Sequence, residues 1–400
     1  MSEVVSAKEP SAAEERPEAL SARPDKIWER AIYRWTAITA VMLLLLVIYT
    51  QHPYYRGSQF APFRPFYVTA FVAWLTFGVF YVKATLQRFS ARRFVMRDGG
   101  LHLILLARAW TQGKLLRKLK NRRLKTTVLG IAVKSFFTPL MTGFFSHHVT
   151  VVADAWLKHK HLAPLRFTVP DGNALRQVTA WVSQVAARVP DFLPNGGDFS
   201  SLFAPSTWTN ADVSWMLDVL YNIVFMIDCG WALVGYSLES RWLDNKTRSV
   251  EPTAFGWAVC LACYPPYNNV LGTYLPLETG PTHAFGQTTF LVMRGVSVLL
   301  FAIYASATVS FGFKFSNLTN RGIVSRGPYR FVRHPAYLCK CLAWWLEHIP
   351  TMTIYKGVFL TLLCGVYATR AWTEERHLGK DPAYREYKKK VPWILVPRVF

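Results

Sequence analysis

Two short stretches near the C-terminal end of this chain hold residue types that can do chemistry. The first is Arg326-Gly-Pro-Tyr-Arg-Phe-Val-Arg-His-Pro-Ala-Tyr337, and the second is Thr373-Glu-Glu-Arg-His-Leu378. Gly327-Pro328 turns the chain out of helix, because proline fixes φ and restricts the residue before it. Arg330 and Arg333 lie beside that turn, with forked, always-charged heads suited to a carboxylate or a phosphate. His334-Pro335 then opens a helix, since proline is favoured in a first turn. The free N–H groups and dipole of that helix end add to the attraction for an anion. Glu374-Glu375 supplies the opposite sign. Arg370 lies one helical turn before Glu374 and can pair with it. Two adjacent carboxylates can hold an ammonium, a sulfonium or ribose hydroxyls. Tyr384 and Tyr387 follow Asp381-Pro382 at a spacing that turns both to one side. The same residues also fit a plainer reading, a basic loop touching lipid phosphates and a solvated helix end.

The sequence between the two stretches must bring them together. Residues 338–371 are apolar and long enough to cross a bilayer and return, so a helical hairpin sets the Arg-His-Pro turn and the carboxylate pair at one membrane face. The rest of the chain reads the same way. It is 400 residues long, 52% hydrophobic and 15% aromatic, and its apolar residues come in blocks. Crossing ~30 Å of hydrocarbon takes roughly 20 apolar residues. Blocks at 31–50, 66–82, 126–145, 213–236, 253–275, 290–313, 337–349 and 352–371 approach that length. Lys134 weakens the third, and the seventh is short and holds Lys340 and Glu347. The expected fold is all-α and polytopic, with about eight spans and roughly six to ten compatible with the pattern. The C-terminal hairpin is expected to frame a cofactor pocket.

A net charge of +22 can signal nucleic acid, but its distribution points to a membrane face. Lys and Arg crowd into 88–125, 241–248, 314–333 and 370–398. The positive-inside rule puts such clusters on the cytoplasmic side, and counting crossings from an inside N-terminus puts them all on one face. Both termini are then cytoplasmic, and anionic headgroups account for the charge without a nucleic-acid partner. Residues 1–25 are polar, rich in Ala, Glu and Pro, and expected to be disordered. They lack the apolar core of a signal peptide. Residues 26–286 read as a membrane region with a large loop at about 149–210, which includes an amphipathic pattern over 174–189. The six cysteines all lie in or beside apolar blocks. Cys260-Leu-Ala-Cys263 has metal-ligand spacing, but a zinc site needs further ligands, so packing is the simpler reading. His147-His148 reads as a solvated interfacial pair, and no metal site is expected. The chain has no Gly-x-Gly-x-x-Gly after a strand and no Walker-type loop, so a nucleotide-like cofactor must sit between helices and loops.

Taken together, Gly-Pro-Tyr-Arg-Phe-Val-Arg-His-Pro-Ala-Tyr337, Glu374-Glu-Arg-His-Leu378 and Tyr384-Arg-Glu-Tyr-Lys-Lys-Lys-Val-Pro392 resemble the isoprenylcysteine carboxyl methyltransferase and phospholipid methyltransferase group. The resemblance covers about residues 287–400, a methyltransferase-like membrane core. It implies S-adenosylmethionine as cofactor, bound at the cytoplasmic face, and a lipid or prenylated acceptor. It also implies that His334 and Tyr337 contact the cofactor, with Tyr329 and Tyr384 beside them, and that Glu375 with Glu374 holds its amino or ribose groups. Arg370 would orient the acceptor or the cofactor carboxylate, with Arg333 nearby, and these two arginines are the expected catalytic residues. The chain departs from the pattern at Cys339, where the group has glycine, and Lys340 follows. The pocket is therefore shaped differently here, or the cofactor lies farther from this helix.

Methyl transfer from a sulfonium is an in-line displacement that depends chiefly on positioning. A carboxylate or thiolate acceptor needs no strong base, whereas an amine needs deprotonation. Polar groups inside expected spans are functional candidates: Asp218, Asn222 and Asp228, and the helix-breaking Tyr264-Pro-Pro-Tyr-Asn-Asn269. Two other readings stay open. The closing Val391-Pro-x-x-x-x-Pro-x-x-Phe400 is similar to that of the sterol reductases, which use NADPH. A non-catalytic membrane scaffold would also tolerate Cys339.

Overall fold

The computed structural model describes residues 24–56, 64–88, 94–159, 162–163, 174–192, 208–237, 239, 245–268 and 285–396. The expected disordered tail falls almost wholly outside them, as do Asn269 and parts of the 149–210 region. The chain is nearly all helical. Five helices are long and apolar enough to cross a membrane: Lys26–Gln51, Tyr67–Arg88, Arg122–Lys158, Asn210–Ser237 and Gln287–Lys314. This is the architecture of a polytopic membrane protein, with five such helices among the described residues.

The chain divides into two compact units. The first comprises residues 1–46 and 69–128 and contains most of α1 (Pro24–Gln51) and α2 (Arg64–Arg88), all of α3 (Val95–Thr111) and the start of α4 (Arg122–His159). Asp98 on α3 is buried and accepts both arms of Arg97, at 2.9 and 2.8 Å, as well as Arg34 of α1. Gly100 lets α3 cross α1 closely, since a Cβ there would lie 2.4 Å from the Ala37 backbone. Leu43, Phe77 and Phe80 are exposed, as lipid-facing residues would be.

The second unit comprises residues 47–68 and 129–400. It contains most of α4 and then α5 (Ala174–Arg188), which matches the amphipathic pattern, and α6 (Asn210–Ser237). These are followed by α7 (Ala254–Leu261), α8 (Gln287–Phe311), α9 (Pro335–His348), α10 (Ile354–Leu378) and α11 (Pro382–Lys390). α4 continues well past the expected end of its span near 145, because apolar residues persist through Leu157. It runs antiparallel to α6. Lys134 Nζ donates to the Tyr236 carbonyl at 2.6 Å, and His148 faces Asn222 at 2.9 Å. α8 lies parallel to α6, with Arg294 beside Asp218 and Tyr304 beside Asp228. α9 returns antiparallel to α8, Ser297 facing Ala343. The ends of α6, α8 and α10 and the start of α9 therefore gather at one end of the unit.

Two expected spans are corrected. Block 253–275 is not one helix: α7 ends at Leu261, and Pro265-Pro266 follows a turn at Tyr264, as residues without amide donors require. The C-terminal hairpin exists, but its first arm, α9, has 14 residues. At 1.5 Å per residue it covers about 21 Å, short of a bilayer core. It stops at the turn Ile349–Thr351, which contains Pro350. A short antiparallel ladder pairs β1 (Ser249–Val250) with β2 (Thr319–Asn320), Ser249 facing Asn320. Beneath this end Phe137 stacks on Tyr236 with centroids 4.9 Å apart and meets the edge of Tyr264 at 5.0 Å. Cys260 is buried in the same core, where it acts as a small packing residue.

Candidate functional site

The turn that opens the site depends on one glycine. Gly327 has φ of 61°, a conformation that favours glycine, and a Cβ there would lie 2.1 Å from Ser310 Oγ. Residues Gly327–Arg330 form a single tight turn. Arg330 is exposed and does not line the pocket described below. The chain then extends beside the C-terminal tail. Arg333 N donates to the Trp393 carbonyl and His334 N to the Ile394 carbonyl, both at 3.0 Å. The apolar tail thus clamps the segment that holds Arg333 and His334. Pro335 occupies the first turn of α9.

Glu375, near the end of α10, collects donors from the segment before α9 and from α11. Its Oε1 accepts from Arg333 Nε at 2.8 Å and from the Tyr384 hydroxyl at 2.5 Å, and lies 3.2 Å from His334 Nε2. Lys388 Nζ approaches Oε2 at 2.8 Å. Burial pushes the Glu375 carboxyl up, but the bonds from His334, Lys388 and Tyr384 outweigh it and hold the group well below the usual carboxylate range. Tyr384 is pushed up by burial and by that carboxylate. Arg333 also donates to the Val391 and Pro392 carbonyls, at 3.0 and 2.7 Å. Arg333 and Glu375 thus lock the hairpin, α11 and the tail together.

Glu374 faces the other way. The Tyr337 hydroxyl donates to its Oε1 at 2.5 Å, and Arg370 Nε does so at 3.2 Å. Its side chain keeps 29% of its exposure, and its Oε2 lies 3.8 Å from His334 Nδ1. Arg370 is buried, and its remaining arms go to Asn317 at 2.6 Å and to the Tyr264 hydroxyl at 3.5 Å. His334 stacks on Tyr337 with an interplanar angle of 10°. Tyr387 donates to the Tyr329 carbonyl at 2.7 Å, so α11 holds the opening turn through that tyrosine. These groups line one pocket that opens to solvent on one side. The expected residues Tyr329, Arg333, His334, Tyr337, Arg370, Glu374 and Tyr384 all face it, and Glu375 stands behind them.

Several polar groups of this site escape a sequence reading. Asn317 has no motif around it, yet it joins Arg370 to Tyr264. His377 stands inside the quoted Glu-Glu-Arg-His-Leu run, and its partner is Glu251, 3.2 Å from Nδ1, with Ser249 Oγ 2.9 Å from Nε2. Burial raises the Glu251 carboxyl, but Thr253, His377 and Arg376 lower it further, so it titrates below its usual range. Burial lowers His377 against the pull of Glu251. Ser249 is not among the pocket-lining residues, so this chain of bonds ties β1 to α10. The three polar residues of α6 part company. Asp218 pairs with Arg294, which also reaches Glu347. Asn222 meets His148, and Asp228 accepts from Tyr304 at 3.0 Å. Cys339 is buried on α9, and the adjacent Lys340 lines the pocket. Among the described residues no three His, Cys, Asp or Glu side chains come together as a metal site would require.

A protein family described as a protein of unknown function (DUF1295) matches residues 270–391, which overlaps the segment read as a methyltransferase-like core. It is a family of membrane proteins related to steroid reductases and to isoprenylcysteine methyltransferase-like enzymes. No curated protein and no solved structure matches the chain.

Proposed function

We propose that this protein is an integral-membrane, S-adenosylmethionine-dependent methyltransferase acting on a lipid-like or prenylated acceptor. The observation behind the reading is Glu374, a carboxylate fixed by Tyr337 and Arg370 yet still open to a pocket walled by tyrosines. Such a group suits a ligand bearing an ammonium, ribose hydroxyls and a sulfonium, and aromatic faces attract a sulfonium as they do other cations. The residues therefore fit the cofactor. Glu374 and Tyr337 would hold it with His334, and when bound it supplies an activated methyl group. Arg370 keeps Glu374 aimed. Arg333 is committed to Glu375 and to tail carbonyls, which makes it a positioning residue for His334 rather than a group that meets substrate. Lateral entry from the bilayer suits an apolar acceptor, and burial of the pocket excludes water from the displacement.

One feature favours a second reading, an NADPH-dependent reductase. Arg248 Nη2 and Lys314 Nζ converge on Gly322, each about 3.3–3.4 Å from where a Cβ would stand, and Lys314 and Gly322 line the pocket. Two cations at one point suit a phosphate. Calorimetry on detergent-purified protein tests both readings, with S-adenosylmethionine, S-adenosylhomocysteine and NADPH compared side by side. Binding of the two adenosyl ligands, lost in Glu374→Gln, supports the methyltransferase. Binding of NADPH alone overturns it in favour of the reductase. Silence from all three in folded protein leaves a non-catalytic scaffold.

A further inference from the structure

The inner end of the pocket contains a cation that the cofactor reading leaves unused. Lys340 lies on α9, opposite Tyr304 of α8 and Tyr367 of α10. Tyr304 sits about 10 Å inside its helix from the end where the site lies. Both helices that flank this level, α6 and α8, are long and apolar enough to span a membrane, so Lys340 stands at membrane depth. Its ammonium stands 5.3 Å from the Tyr304 ring centre, 5.1 Å from Trp344 and 5.4 Å from Tyr367. Ring faces attract the charge but accept none of its three protons in ordinary hydrogen bonds. Among the described residues no oxygen hydrogen-bonds it, and its side chain lines the pocket. Asp228 is an acid close enough to act on it, but the two form no ion pair within contact distance. Asp228 turns one oxygen to Tyr304 and buries the other with no hydrogen-bond partner.

A donor-rich ammonium held by aromatic walls, open to a cavity and short of acceptors, is what a ligand's anionic head would complete. We infer that Lys340 forms the head-group subsite of the second ligand, and that this ligand is an apolar molecule ending in an anionic oxygen or sulfur. Asp228 and Tyr304 are positioning residues that keep Lys340 charged and aligned. The inference rests on the methyltransferase reading for one further step. There, the anionic atom forms the new bond to the methyl carbon, the sulfur–methyl bond breaks with its electron pair going to sulfur, and no proton moves. An amine acceptor is disfavoured, because its ammonium form would face both Lys340 and the cofactor's sulfonium.

The test is binding, measured separately from turnover. Dodecanoate, dodecanethiol, dodecylamine and methyl dodecanoate are titrated into protein in nanodiscs, with S-adenosylhomocysteine titrated in parallel. The expected result is that dodecanoate or the thiol binds more tightly than the amine and the ester. Lys340→Met should weaken the anion about 10- to 100-fold, as the loss of a charge-assisted hydrogen bond implies, while S-adenosylhomocysteine affinity holds. Asp228→Asn should weaken anion binding by less than Lys340→Met, because the acid supports the lysine without touching the ligand, and S-adenosylhomocysteine affinity should again hold. Preference for the amine, equal binding of the ester, or an unchanged affinity in Lys340→Met overturns the subsite. If the anion binds through Lys340 and no adenosyl ligand binds, the subsite stands and the methyltransferase reading fails.

Discussion

Replacing Glu375 with glutamine should loosen the whole C-terminal assembly by an amount the structure sets. The side chain keeps its shape and one acceptor oxygen but loses its charge. Arg333, His334 and Tyr384 all bond that carboxylate in buried surroundings, and Lys388 does so from a half-exposed position. A hydrogen bond to a charged group is stronger than a neutral one by about 1 kcal/mol. Three buried donors then give a loss of about 3 kcal/mol, with Lys388 discounted for solvent screening. That agrees with the roughly 3–5 kcal/mol lost when a buried pair is broken from one side. For a unit of this size the loss corresponds to a fall in Tm of about 6 °C. Thermal unfolding in detergent, followed by near-UV circular dichroism at several pH values, measures it. The sign of the pH effect follows from the depressed carboxyl. Its stabilisation is complete above the unfolded carboxylate pKa of about 4.3 and fades as pH falls through and below that value. The gap between wild type and Glu375→Gln should therefore hold steady from neutral pH to about pH 5 and narrow only below about pH 4. Adding Arg333→Met to Glu375→Gln should recover part of the loss, because it removes the uncompensated cation. A shift under about 1 °C at pH 7, or a gap that widens in acid, would refute the account of Glu375 as the charged hub.

Three other outcomes are expected. Tyr337→Phe should weaken S-adenosylhomocysteine binding about 3- to 10-fold by calorimetry with Tm nearly unchanged, since it removes one hydrogen bond that aims Glu374. Gly327→Ala should lower stability by about 1–3 kcal/mol, because the position combines a left-handed φ with a close Ser310 hydroxyl; adding Ser310→Ala should relieve only the steric part, which denaturant titration would reveal. Glu251 and His377 both titrate below their usual values, so both bind more protons when unfolded, and stability should fall as pH drops from about 7 towards 4. His377→Gln should remove the upper part of that fall, near pH 6–6.5, in pH-resolved melting curves.

The sequence by itself determined what is local. Apolar runs long enough for a bilayer became α1, α2, α6 and α8, because a helix satisfies its own backbone and needs only a continuous apolar surface in that solvent. Gly327-Pro328 and Pro335 marked a turn and a helix start for reasons contained in their own φ angles and missing donors. The spacing of Tyr384 and Tyr387 put both side chains to work on the same site. Even the meeting of the Arg-His-Pro turn with Glu374-Glu375 was legible, since a hairpin of apolar residues leaves its two ends little choice. Lys134 looked like a flaw in a span, and only packing shows that its ammonium has the Tyr236 carbonyl to reach. Tertiary structure alone decided which charges are consumed and which remain available. Arg333 and Arg370 look alike in the sequence, yet one is spent on Glu375 and the tail while the other aims Glu374 into the pocket. Asp218, Asn222 and Asp228 share one helix but find three different partners, and Lys340 finds only rings. The physical reason is that hydrogen bonds have short reach and strict geometry. Their partners here lie dozens of residues away in the chain, and only the packing of the helices brings them within that reach.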